Sequence, residues 1–113
     1  MTDWYCDASF CEETKTTNIA ILPLNKVIVS HCETCYEAET LAIYTCLLYC
    51  PRGATIHNDC KIAVKAISRQ RARRTAFQQD VRELLKKKGC QLRWLPRTHV
   101  KMREVDKLSK ENR

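Results

Sequence analysis

The sequence predicts an α/β domain: a mixed five-stranded sheet, made of a three-strand antiparallel meander continued by parallel strands, with helices on both faces. Two observations carry the prediction. Residues 4–30 hold three short β-type runs joined by brief links. From residue 36 onward the apolar period becomes three and four, and helical stretches alternate with two further strand-like runs. Strands separated by helices pair in parallel through right-handed crossovers.

Each element has its own reason. Trp4 to Phe10 is apolar and aromatic without a breaker and reads as the first strand, followed by a polar turn at Glu12-Glu13-Thr14-Lys15. Thr17 to Leu22 is the second strand, stopped at Pro23, and Leu24-Asn25-Lys26 is a connection of hairpin length. Val27-Ile28-Val29-Ser30 is rich in β-branched residues and forms the third. Ala38, Leu41, Ala42, Thr45, Leu48 and Tyr49 then mark one face of a helix over 36–49, halted by Cys50-Pro51-Arg52-Gly53. Ala54 to His57 is a fourth strand. Asp59 is the expected N-cap of a short helix carrying Ile62, Ala63, Ala66 and Ile67. After a basic connector over 68–74, Phe77, Val81, Leu84 and Leu85 face one side of a helix over 75–88, ended by Gly89. Cys90 to Leu95 is the fifth strand, broken by Pro96-Arg97. Met102, Val105 and Leu108 mark a last helix, followed by a polar, frayed tail.

At 113 residues, and without repeat or linker, the expectation is one domain over 1–113. A hydrophobic share of 44% supports a core and argues against disorder, while 2 Gly and 3 Pro exclude collagen-like and Gly-rich-loop classes. No apolar run reaches the roughly 20 residues that cross a bilayer. Met1-Thr2-Asp3-Trp4 has neither the basic nor the apolar region of a secretory signal, so a soluble, cytoplasmic domain with no membrane partner is expected. In a reducing compartment the eight cysteines are thiols rather than a disulfide framework, with Cys6, Cys46 and Cys50 as small core residues. Cys32, Cys35, Cys46 and Cys50 form the one metal-like arrangement, a zinc reading that needs all four to converge.

Four acidic residues stand where chemistry is expected. Asp7 lies mid-strand, where an unpaired carboxylate is costly. Glu39 sits on the first helix, Asp59 at the C-terminal end of the fourth strand, and Asp106 on the last helix. Singly, the last three also read as solvated or capping groups, and Asp7 as a sheet-edge charge. Together they would converge if their elements pack as proposed. Four close carboxylates repel, and two hard divalent cations, Mg²⁺ or Mn²⁺, would hold them together and suit phosphodiester cleavage. The formal charge of +7 would meanwhile hold a phosphate backbone.

These residues carry a resemblance. Tyr5-Cys6-Asp7-Ala8-Ser9 resembles the first-strand Asp-Gly-Ser motif of the type 1 ribonuclease H family, with Ala for Gly. Ala38-Glu39-Thr40-Leu41-Ala42 resembles its catalytic Glu helix, and His57-Asn58-Asp59-Cys60-Lys61 its fourth-strand Ser-Asp-Ser segment. Arg93-Trp94-Leu95-Pro96-Arg97-Thr98-His99 followed by Glu104-Val105-Asp106-Lys107-Leu108 resembles the ending in which Trp-Val-Pro and His precede the last acidic helix. The four motifs occur in the family's order and span nearly the whole chain. The resemblance implies a ribonuclease H-like fold and an endonuclease that cuts the RNA strand of RNA–DNA hybrids with two Mg²⁺ or Mn²⁺ ions. It implies Asp7, Glu39, Asp59 and Asp106 as metal ligands and His99 as a proton-transfer or product-release group. Ser9, Asn58, Arg97 and Lys101 are expected nucleic-acid contacts. Phe10 to Lys15 replaces the family's Gly-rich stretch, Met102 stands where an Asn is expected, and the longer members' basic handle is absent.

In place of the handle is the run Arg69, Arg71, Arg73, Arg74, next to a helix ending Lys86-Lys87-Lys88. Alone such a run reads as a solvated face; beside a candidate nuclease site it reads as phosphate-binding. Trp4 and Trp94 are expected in the core or facing strands. The alternatives are a catalytically weak nucleic-acid-binding module of this fold, a related nuclease with another substrate, and the zinc-stabilised adaptor.

Overall fold

The computed structural model describes residues 2–111. It contains β1 (Asp3–Cys11), β2 (Thr16–Leu22), β3 (Lys26–His31), α1 (Cys35–Tyr49), β4 (Thr55–Asn58), α2 (Lys61–Ser68), α3 (Ala76–Lys87), β5 (Gln91–Trp94) and α4 (Val100–Lys110). The five strands form one mixed sheet in the order β3-β2-β1-β4-β5. β1–β2 and β2–β3 are antiparallel, with Asp7 opposite Ala20 and Ala20 opposite Val27. β1–β4 and β4–β5 are parallel, with Tyr5 beside His57 and Asn58 beside Trp94. The predicted tail begins inside α4, while Met1 and residues 112–113 lie outside the described residues.

Alternation along the strands divides the core. Trp4 and Cys6 of β1, Ile19 and Ile21 of β2, and Ile56 of β4 pack with Ile43 and Leu47 of α1, Ile67 of α2 and Val81 of α3. The intervening residues Tyr5, Ala20 and Leu22 face Met102 and Val105 of α4. Asp7 is on this second side by period, so α4 can approach it across the sheet.

Local signals set the helix ends. The Thr34 hydroxyl accepts the Glu37 N–H at 3.1 Å to start α1. Lys88 Nζ donates to the carbonyls of Leu47 and Cys50 at the other end of α1. Thr75 and Gln78 form a reciprocal capping box on α3. α3 ends in a Schellman turn: Gly89 has φ +64, its N–H reaches Lys86 O, and the Cys90 N–H reaches Leu85 O, both at 3.0 Å.

Three expectations need correction. Leu48 and Tyr49 are exposed, whereas Ile43, Cys46 and Leu47 are buried. α1 is apolar on most of its circumference, so sequence period alone could not choose its inner face. Asp59 does not cap α2; Cys60 is the N-cap residue, and its N–H is taken by Asn58 Oδ1 at 2.8 Å. Trp4 is buried, but Trp94 is 42% exposed at the end of the edge strand β5.

Candidate metal centre

The extended backbone of β1 presents Asp7 to the α4 side of the sheet, and the first turns of α1 bring in Glu39. Asp59 follows the last residue of β4, where the chain leaves the sheet for α2. Carboxylate oxygens of these three residues lie within 4.8 Å of one another. Among the described residues, this is the group of three or more potential ligands that comes together. The Cys32, Cys35, Cys46 and Cys50 set does not form such a group, which removes the geometric basis of the zinc reading.

Asp106 joins through Asp7. Burial raises the Asp106 carboxyl, but interaction with Asp7 and the charges of Lys110 and Arg97 outweigh it and hold Asp106 below its ordinary value. Lys110 Nζ stands 3.2 Å from Asp106 Oδ1. Asp106 is therefore coupled electrostatically to Asp7 while staying outside the tight group of three.

The electrostatics show how poorly this cluster tolerates full ionisation. Burial, then the charges of Glu39 and Asp59, push Asp7 up to about 9. Burial and the Asp59 charge push Glu39 up to about 7, opposed by hydrogen bonding from Ala8 and Asn58. Glu39 Oε1 is buried with no hydrogen-bond partner, which is costly for a carboxylate oxygen. One neutralising neighbour is present: Arg97 Nε lies 3.5 Å from Asp59 Oδ2, with its side chain largely in solvent. Three converging hard oxygen donors and an orphaned buried carboxylate oxygen fit a divalent cation of the Mg²⁺ or Mn²⁺ type.

Around this cluster the other expected site residues divide. Arg97 borders it through Asp59, and Lys101 is exposed on the first turn of α4 with Nζ 3.4 Å from Glu104. His99 is the N-cap of α4, its Nδ1 accepting the Lys101 N–H at 3.1 Å. The ring is thus committed to the cap by one nitrogen, and Nε2 carries the proton in that tautomer.

The expected contacts Ser9 and Asn58 are buried rather than displayed on the surface, and Ser9 Oγ has no hydrogen-bond partner. Asn58 is 0% exposed, with Nδ2 donating to Cys6 O at 3.1 Å. Asn58 instead ties β1 to β4 and braces the Cys60 N–H, which positions Asp59 between them. Arg69, Arg71 and Arg73 are exposed on the connector after α2, and Lys86 and Lys87 are exposed at the end of α3. Arg74 folds back onto the carbonyls of Arg69 and Ala72, so it shapes the connector rather than projecting from it. Lys88 is likewise drawn inward to cap α1.

Two residues inside the matched motifs, assigned no site role from the sequence, also border the cluster. Trp94 Nε1 donates to the Asp59 carbonyl at 3.1 Å, and Lys61 Nζ lies 5.0 Å from the Trp94 ring centre. Parallel pairing of β4 and β5 explains this contact, because it sets Trp94 beside Asn58 and next to Asp59. The adjacency of Lys61 to Asp59 was the available sequence signal for the cation.

No protein-family model matches this chain, and comparison with curated proteins gives no match.

Proposed function

We propose that this protein is a metal-dependent endonuclease of the ribonuclease H type, acting on the RNA strand of RNA–DNA hybrids. The observation that carries the reading is the meeting of Asp7, Glu39 and Asp59, with Asp106 coupled electrostatically to Asp7, on a β3-β2-β1-β4-β5 sheet. A mixed sheet of this composition and the convergence of three of the four acids support the ribonuclease H reading.

Asp7, Glu39 and Asp59 would hold the cations, with Asp106 completing the set from α4. Two bound Mg²⁺ or Mn²⁺ ions would supply an activated water and stabilise the leaving oxygen. The chain's own work is to hold four carboxylates on rigid elements, with burial making ionisation of Asp7 and Glu39 costly unless positive charge is near. Arg97 and Lys101 offer cations for phosphates beside the cluster. Arg69, Arg71 and Arg73 lie one length of α2 away, about 12 Å for eight residues. Such contacts position a backbone without reading its sequence, and they weaken steeply with salt. No helix of the described residues is long and apolar enough to cross a membrane. An intracellular, reducing location fits the eight free thiols.

A second reading, a weakly catalytic binding module, draws support from two details: His99 spends Nδ1 on a helix cap, and Arg97 is already paired to Asp59. One experiment separates the two. Labelled RNA–DNA hybrid, RNA duplex, DNA duplex and single strands are incubated with Mg²⁺ or Mn²⁺, using Asp59→Asn as the control. Hybrid cleavage that falls more than about 100-fold in the variant supports the nuclease. Binding without cleavage supports the module. Equal cutting of every substrate, or undiminished activity in the variant, refutes hybrid-specific hydrolysis at this site.

A further inference from the structure

We infer that Cys50 and Cys90 form a reactive dithiol that is closed to a disulfide by a small anionic disulfide of the oxidised-glutathione class, entering through a cationic groove beside β5. The two sulfurs are 3.8 Å apart although the residues are 40 positions apart in sequence. Both belong to well-anchored backbone: Cys50 ends α1 and Cys90 leads into β5. Bonds from Gly53 N–H to Lys88 O and from Gln91 N–H to Ala54 O, each 3.0 Å, hold the two segments together. The sulfurs are at van der Waals separation, and forming the bond requires them to close from 3.8 Å to about 2.05 Å.

The entrance is chemically selective. Cys90 lines a surface groove together with Arg82, Lys86, Arg93, Ser68 and Gln91, and no acidic residue lines it. A reagent carrying carboxylates and net negative charge is concentrated there, and a cationic one is repelled. Cys50 is deeper and is not part of the groove lining. Burial and the neighbouring Cys90 push the Cys50 thiol up to about 12, and Lys88 Nζ, 3.8 Å from Cys50 Sγ, offsets this only in part.

The chemistry runs in two exchanges. The Cys90 thiolate attacks one sulfur of the incoming disulfide, forming a Cys90–S–S–R bond. The reagent's own S–S bond breaks, and the first RS⁻ leaves with the proton that Cys90 lost. The Cys50 thiolate then attacks Cys90 Sγ, the bond to R breaks, and the second RS⁻ takes the Cys50 proton. Two electrons and two protons pass from the protein dithiol to the reagent, which leaves as two thiols. Burial of Cys50 makes the second exchange slow, and it quickens as pH rises.

The test uses the whole chain and does not depend on nuclease activity. Reduced protein is incubated with oxidised glutathione, alkylated, and digested without reductant. A Cys50–Cys90 crosslinked peptide, two hydrogens lighter than its parts, is expected. The Tm should rise by about 5 °C or more, reversed by dithiothreitol. Cystamine, a cationic disulfide, should close the pair at least about 10-fold more slowly, a difference erased by high salt. Cys11, Cys35 and Cys60 are more accessible than the pair, so mixed disulfides at those positions are scored separately. The inference fails if Cys90 is trapped as a mixed disulfide that Cys50 never resolves, or if the internal crosslink maps to other cysteines. Equal rates with the two reagents at low salt overturn the groove. Cys50→Ser and Cys90→Ser should each abolish the Tm rise; because the crosslink is mapped in the unaltered chain, poor folding of either variant does not rescue a negative result.

Discussion

Removing the charge of Asp7 should stabilise the metal-free protein. Asp7 has an ordinary value of 3.8 and is pushed up to about 9 by burial and by the charges of Glu39 and Asp59. For an acid whose folded value is raised, the sign is definite: its contribution is fully favourable below the unfolded value and is lost as pH rises towards the folded one. At pH 7 the folded chain keeps Asp7 protonated, while the unfolded chain is free to ionise it. At about 1.4 kcal/mol per pH unit above 3.8, this difference costs about 4 kcal/mol. Asn resembles the protonated acid in shape and ionises in neither state. Allowing for relaxation of the neighbours, Asp7→Asn should add about 2–4 kcal/mol at pH 7 in chelator, a Tm increase of about 10 °C. The assay is thermal unfolding of both proteins in EDTA from pH 5 to 9. The wild-type Tm should fall across this range more steeply than that of the variant. Saturating Mn²⁺ should raise the wild type and leave the variant nearly unmoved. A wild-type Tm independent of pH in EDTA, or a variant no more stable than wild type at pH 7, would refute the electrostatic account.

Other perturbations separate structural from functional charges. Arg97→Ala breaks a largely solvent-exposed pair, so stability should change by less than about 1 kcal/mol, while Mn²⁺ binding, followed by calorimetry, tightens several-fold. The same variant should lower the salt slope of nucleic-acid binding by about one. Lys88→Ala strands the Leu47 and Cys50 carbonyls at the end of α1 and should cost about 1–3 kcal/mol in urea unfolding, with hybrid affinity unchanged. His99→Ala should lose about 1 kcal/mol with the cap, and His99→Asn should restore it. A cleavage defect that persists in His99→Asn would then belong to the imidazole rather than to the helix end.

Much of this architecture was written in local patterns. The β-branched and aromatic runs, the change of period near residue 36, and the stops at Pro23, Pro51 and Gly89 all carried the order of strands and helices. The acids were equally legible because each fell at a distinctive place: mid-strand for Asp7, a strand end for Asp59. Other features failed for identifiable reasons. α1 is apolar nearly all round, so Leu48 and Tyr49 looked as buried as Ile43 and Leu47. Asp59 had the composition of an N-cap, but the helix begins one residue later, with Cys60 as its cap residue, and the Asp59 carboxylate turns to the cluster. In the basic runs every Lys and Arg looked alike. Burial of neighbouring carbonyls draws Lys88 and Arg74 inward and leaves Lys86, Lys87, Arg69, Arg71 and Arg73 in solvent.

The sequence by itself determined the α/β class, the element order, and which acids, cations and cysteines the chain has to deploy. These depend on period, turn chemistry and residue type, all of which act over a few residues. Only the tertiary structure decided which of those groups meet. It joins Asp7, Glu39 and Asp59 across 52 positions, sets Trp94 under the Asp59 carbonyl, and brings Cys50 to Cys90. Such meetings depend on strand register and helix rotation, which are settled by burying a shared core. The same step makes the acids' charge costly: a carboxylate that is harmless in the open chain becomes, once buried beside two others, a group that holds its proton to about pH 9.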